Sequence, residues 1–123
     1  MDFLINNNKV FSTDTGEKFD KKRHSIILLH GSGQSHIVWS LTTQYLSSQN
    51  YNVFALDLPG HGNSDGESLK SIEDMALWLN KVVKFLGIKQ HTIVGHSQGC
   101  LVALEYANNY PDDLENIVFI AGS

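Results

Sequence analysis

Four short apolar runs alternate with stretches of helical periodicity, and that alternation limits the folds open to this chain. The runs are Ser25–His30, Asn52–Leu58, His91–His96 and Asn116–Ala121. The first, with Ile26-Ile27-Leu28-Leu29 at its centre, is apolar on both faces, as a strand buried in a parallel sheet is. Between the runs lie helical patterns from His36 to about Ser48, at Ser71–Leu86 and at Gln98–Asn109. The second is the sharpest, because Ile72, Met75, Ala76, Leu79, Val82, Val83 and Leu86 share one face. Ser71 with Asp74 three residues on suits its start, and Gly87 suits a left-handed stop. In the first helix Ile37, Leu41 and Tyr45 recur at four-residue spacing, and Trp39 is expected to anchor it. Strands and helices in this order build right-handed βαβ units. The expected fold is α/β, a mostly parallel sheet with helices on both faces. Ahead of it, two strands are expected around the turn at Asn6-Asn7-Asn8.

Composition narrows the functions. With 123 residues, 41 % of them hydrophobic, the chain suits one domain over 1–123. A net charge of −4, from 9 basic and 13 acidic residues, comes with no basic stripe. Nucleic acid and anionic membrane surfaces are therefore unexpected partners. No apolar run approaches the roughly 20 residues of a membrane span. The start, Met1-Asp2-Phe3-Leu4-Ile5-Asn6, lacks the pattern of a secretory leader, so a cytoplasmic location is expected. A lone cysteine, Cys100, excludes an internal disulfide framework and reads as a small buried filler. No H-E-x-x-H pair or Cys/His cluster suggests a metal. The phosphate-binding patterns G-x-x-x-x-G-K-[ST] and G-x-G-x-x-G are both unmet, the second because position 36 is His. No cofactor is expected.

The chemistry sits at two strand ends. Gly95-His96-Ser97-Gln98-Gly99 fits G-x-S-x-G, a pattern that chance alone gives roughly 0.08 times in such a chain. Its context adds weight: Thr92-Ile93-Val94 before it reads as strand and Leu101–Ala107 after it as helix. That is a nucleophile elbow. A strand turning at once into a helix strains the serine and projects its hydroxyl above the sheet. Side chains at Gly95 and Gly99 would clash where strand and helix meet. The Gln98 N–H, at the positive end of the helix, is placed to face a developing oxyanion. After the first buried strand, His30-Gly31-Ser32-Gly33-Gln34-Ser35 offers a second donor. The Ser32 N–H is the first candidate and Gly33 the next.

Three segments in register carry a family resemblance: Leu29-His30-Gly31-Ser32-Gly33-Gln34, Asp57-Leu58-Pro59-Gly60-His61-Gly62-Asn63-Ser64-Asp65 and Val94-Gly95-His96-Ser97-Gln98-Gly99. Together they resemble the first half of the α/β-hydrolase fold family. The resemblance implies Ser97 as nucleophile, the Gln98 and Ser32 N–H groups as oxyanion hole, and a small-molecule substrate cleaved at an ester or related acyl bond or at a carbon–carbon bond. It also implies that His61 and Asp65 turn and pin their loop rather than react.

The acid and base of a serine hydrolase are missing. The family order is Ser, then Asp or Glu, then His. After Ser97 come Glu105, Asp112, Asp113 and Glu115, and no histidine. Those carboxylates read as surface charge at the wrong end of the sheet. All six histidines precede Ser97. His30 is expected to bond backbone, His96 to point away from the nucleophile's face, and His24, His36 and His91 to be exposed. By resemblance the chain reads as a partial domain, the N-terminal half of a hydrolase without its last strands and cap. Alone it is expected to be inactive, and its final strand to present an apolar edge that favours self-association. The alternative is an inactive fragment or a binding module of the same fold.

Overall fold

The computed structural model describes residues 1–14 and 19–120. The chain opens with a hairpin of β1 (Asp2–Ile5) and β2 (Asn8–Phe11). Its two turn residues, Asn6 and Asn7, have φ of 52° and 65°. Positive φ at both positions gives the turn whose twist matches the flanking strands.

The main sheet has four strands in the order β4-β3-β5-β6, every neighbouring pair parallel. They are β3 (Ser25–Leu29), β4 (Asn52–Leu56), β5 (His91–His96) and β6 (Leu114–Ile120). The hairpin joins the β4 edge through an antiparallel bridge between Ser12 and Leu56. The last strand begins two residues earlier than its apolar run suggests, because Leu114 pairs with His91 ahead of the register shift at His91/Thr92. The end expected at Ala121 lies outside the described residues.

Alternation along the strands divides the core in two. Ile27, Leu29, Phe54, Leu56 and Ile93 face α2 (Ile72–Leu86) and α3 (Gln98–Asn109). Ile26, Leu28, Val53, Ala55 and Val94 face the opposite side, where Trp39 packs. Helices thus cover both faces. The start of α2 is as expected: the Ser71 hydroxyl accepts the Asp74 N–H at 3.0 Å. Gly87 ends it at φ 68°. The helix after β3 begins as a 3₁₀ turn, His36–Trp39, and continues as α1 (Ser40–Ser48). Trp39 is its buried anchor, but the Ile37, Leu41 and Tyr45 stripe faces outward, 67 %, 83 % and 64 % exposed. Among the described residues no helix is long and apolar enough to cross a membrane.

The strand order locates the crevice. From β3 the chain first moves outward to β4, then returns across to β5 on the other side. In open α/β sheets ligands bind at the carboxyl ends of strands where the order reverses in this way. The reversal lies between β3 and β5, the two strands that carry the glycine-rich loops.

Candidate active site

Ser97 is the single residue between the end of β5 and the start of α3. Its backbone, at φ 54° and ψ −118°, lies outside the regions open to side-chain-bearing residues. Such strain persists only where the surroundings over-determine it. The two glycines show how. A Cβ on Gly95 would land on the carbonyl oxygen of Gly99, and one on Gly99 would lie 2.6 Å from the Leu29 carbonyl oxygen. The helix can therefore sit against the sheet only with glycine at both positions. The Ser97 N–H donates to the Ile120 carbonyl at 3.3 Å, and the Ser97 carbonyl accepts the Cys100 N–H at 2.9 Å. Cys100 is buried, with Sγ 3.2 Å from the Gly95 carbonyl. It fills space, as expected.

The loop after β3 passes directly beside this serine. An ideal Cβ on Gly31 would lie 3.0 Å from the Ser97 Cβ. Within the loop the Gly31 N–H donates to Gln34 Oε1 at 2.8 Å, and the Gln34 N–H to the Gly31 carbonyl at 3.2 Å. The Gly33 N–H donates to His61 Nε2 at 3.2 Å. Among the described residues the Ser32 N–H has no partner, and neither has the Gln98 N–H. The two candidate donors, ranked Ser32 first and Gly33 next, differ in their bonding: the Gly33 N–H is committed to His61, and the Ser32 N–H is not. Gln34 Oε1 also accepts from His96 Nδ1 at 3.0 Å, so one side chain ties the loop to the neighbour of Ser97. The contact with Gly31 is local, but the one with His96 comes from β5, 62 residues away in the chain, and no local pattern marks it.

No imidazole meets Ser97 among the described residues. His30 is fully buried, and burial pushes its pKa below the ordinary imidazole value. Its Nδ1–H donates to the Gly31 carbonyl at 2.7 Å and its Nε2 accepts the Leu58 N–H at 3.0 Å. That is the backbone role expected of it. His96 turns to Gln34 and lies edge-on to Trp39 at 6.2 Å.

The expectation of three exposed histidines is overturned. His91 is fully buried, its pKa lowered by burial. Its Nδ1–H donates to the Lys89 carbonyl at 2.6 Å and its Nε2 accepts the Tyr106 hydroxyl at 2.9 Å. Burial pushes Tyr106 up to about 12. His36 is half-buried, its Nδ1–H donating to both oxygens of Asp57 at 2.9 and 3.0 Å. His24 is also half-buried, with Nε2 2.7 Å from the Thr92 hydroxyl. Thr92, Asp57 and Tyr106 are supplied by other parts of the fold, which a reading of the neighbouring residues does not see.

Of the late carboxylates, Glu115 and Asp113 lie at the far end of β5 from Ser97. Glu115 lies 3.7 Å from His24, just before β3, and the Asp113 carbonyl accepts the His91 N–H at the start of β5. Ser97 follows the other end of that six-residue strand, about 20 Å away. A cavity of about 360 Å³ bordered by Val83, His91, Tyr106 and Tyr110 opens at this same remote end. It is not the crevice at Ser97. Among the described residues no three His, Cys, Asp or Glu side chains are grouped to hold a metal ion.

Comparison with known proteins agrees with this architecture. The profile of the alpha/beta hydrolase fold family matches residues 24–123. The pimeloyl-[acyl-carrier protein] methyl ester esterase of Aeromonas hydrophila is 36 % identical over 100 residues, 80 % of this chain and 37 % of that protein. An uncharacterized protein of Mycobacterium tuberculosis is 33 % identical over 98 residues, 79 % of this chain and 28 % of its own length. Among solved structures, a predicted CIB-like hydrolase of Thermoplasma acidophilum superposes with a TM-score of 0.88 at 26 % identity, covering 98 % of this chain and 61 % of that one. The chain spans 23 to 38 % of the length of such curated relatives. A sheet that reverses order between β3 and β5, a strained Ser97 at the reversal, and a family profile over residues 24–123 lead to one assignment. The chain belongs to the α/β-hydrolase fold family.

Proposed function

We propose that the whole protein is a serine hydrolase of an ester or related acyl substrate, with Ser97 as nucleophile. The observation that carries this reading is the strained backbone of Ser97 beside two uncommitted N–H groups, on Ser32 and Gln98. The Ser97 hydroxyl attacks the acyl carbonyl carbon and gives its proton to a base. The carbonyl oxygen takes the negative charge and accepts from the Ser32 and Gln98 N–H groups. On collapse the base returns that proton to the departing alcohol or thiol; it then takes a proton from water, which attacks the acyl carbon, and gives it back to the Ser97 oxygen as the acid leaves. Donors fixed in advance are worth about 10²–10³ each in rate. The base and the carboxylate that orients it belong to parts of the whole protein outside the described residues. Residues 1–123 are accordingly one part of a single hydrolase domain. Its relatives support the acyl chemistry, since the Aeromonas protein is a methyl ester esterase.

The test is covalent labelling. An alkyl fluorophosphonate, which reacts with activated serines, is incubated with the complete gene product, and the adduct is located by tandem mass spectrometry. The label is expected on Ser97 and absent from Ser97→Ala. A second reading, a non-catalytic binding module, draws on the absence of an imidazole near Ser97 among the described residues. Labelling elsewhere, or not at all, favours it. Residues 1–123 alone are expected to react no faster than their Ser97→Ala variant.

Self-association of residues 1–123 is part of the same reading. Among the described residues β6 is bonded on one side only, and Val118, Phe119 and Ile120 are 42 %, 52 % and 41 % exposed. An open apolar edge recruits further strands. Light scattering is expected to show dimers or larger species that Phe119→Lys reduces. A monomer at high concentration overturns the expectation.

A further inference from the structure

We infer that His61 is a positioning residue for the oxyanion loop, holding the Gly33 N–H so that the adjacent Ser32 N–H stays beside Ser97. The inference rests on the reading of Ser97 and Ser32 given above. His61 Nδ1 lies 3.0 Å from the Pro59 carbonyl oxygen, and Nε2 accepts the Gly33 N–H at 3.2 Å. A carbonyl only accepts and an amide N–H only donates. Both contacts are met by one form of the ring, the neutral imidazole with its proton on Nδ1.

The two nitrogens do different work. The Nδ1–H bond stays within His61's own loop and is sufficient to shape it. The Nε2 bond leaves that loop and crosses to the tip of another. That tip is otherwise poorly held. Ser32 and Gly33 are exposed, and a Cβ added to Gly33 would meet nothing within 4 Å. The bonds between Gly31 and Gln34 close the loop on itself but do not fix where its tip points. Among the described residues the His61 ring is the hydrogen-bond partner that ties Gly33 to another element.

His61 is itself well seated. Its ring packs on that of His30 at 5.1 Å, and His30 Nε2 fastens the same loop to the sheet by accepting the Leu58 N–H. The two rings thus cross in opposite directions between the loops after β3 and β4.

The test pairs a spectroscopic arm with a kinetic one. In ¹⁵N-labelled protein a through-hydrogen-bond ¹⁵N–¹⁵N coupling is expected between the Gly33 amide and His61 Nε2, and it is expected to be absent from His61→Ala. His61→Gln keeps an acceptor near the Nε2 position, and His61→Ala removes it. Gly33 amide exchange is expected to quicken about tenfold in His61→Ala and to stay within about twofold in His61→Gln. Unchanged amide shifts outside the two loops verify that each variant is folded. In the complete gene product, His61→Ala is expected to lower kcat for an acyl ester about 10–100-fold with KM nearly constant, and His61→Gln to recover most of it. Absence of the coupling, or Ser97-dependent turnover indifferent to His61→Ala, overturns the inference. Turnover indifferent to Ser97→Ala defeats the nucleophile reading instead, and the coupling and exchange still decide whether the clasp exists.

Discussion

Replacing Ser97 with alanine is expected to lower acyl-ester turnover by the complete gene product about 10⁴–10⁶-fold. The residue of activity reflects the oxyanion donors and binding, which survive the change. Glycine at the same position separates chemistry from strain. Both variants lack the hydroxyl, but only glycine adopts φ 54°, ψ −118° freely. The strain released is about 1–3 kcal/mol, against roughly 0.4–1 kcal/mol lost to the freer unfolded chain. Relief therefore wins. Ser97→Gly is expected to be about 1 kcal/mol more stable than Ser97→Ala by urea unfolding. Equal stability would mean that the serine backbone is relaxed, and the elbow would lose its main structural mark.

What the sequence makes legible is what neighbours in the chain determine. Ser71 caps α2 because the bond to the Asp74 N–H spans three residues. Gly87 ends that helix because a left-handed residue is needed at that point. The strand–turn–helix around Ser97 is visible because both flanking patterns are contiguous. What stayed hidden depends on partners remote in sequence. The apolar stripe of Ile37, Leu41 and Tyr45 has the right spacing for a core face, yet Trp39 takes the inward direction. The surroundings of His24, His36 and His91 are set by Thr92, Asp57 and Tyr106 on other elements. That the Gly33 N–H is taken by His61, from the loop after β4, is likewise invisible in the residues around Gly33.

Asp57→Ala is expected to destabilise the fold by about 3–5 kcal/mol. The side chain is fully buried just past β4. Oδ1 accepts the His36 N–H at 2.6 Å, Oδ2 the Asn63 N–H at 2.8 Å, and His36 Nδ1–H meets both. Removal leaves two backbone donors and a ring nitrogen without their acceptor, and each such loss costs about 1–3 kcal/mol. The cavity adds to this, because Gly62 packs directly on the carboxylate. Asp57→Asn keeps the shape but sets an NH₂ against one of the N–H groups, so a smaller loss of roughly half is expected. Urea unfolding measures both, and a change below about 1 kcal/mol in Asp57→Ala sinks the assignment. The same contacts argue against Asp57 as the catalytic carboxylate. Both oxygens are engaged by His36 and Asn63, and the imidazole it orients, His36, has no contact with Ser97. Asp57 instead joins the segment leading from the oxyanion loop to the loop that carries His61. Loss of this carboxylate is therefore expected to loosen the Gly33 amide as well as the fold, a coupling that amide exchange in Asp57→Asn can detect.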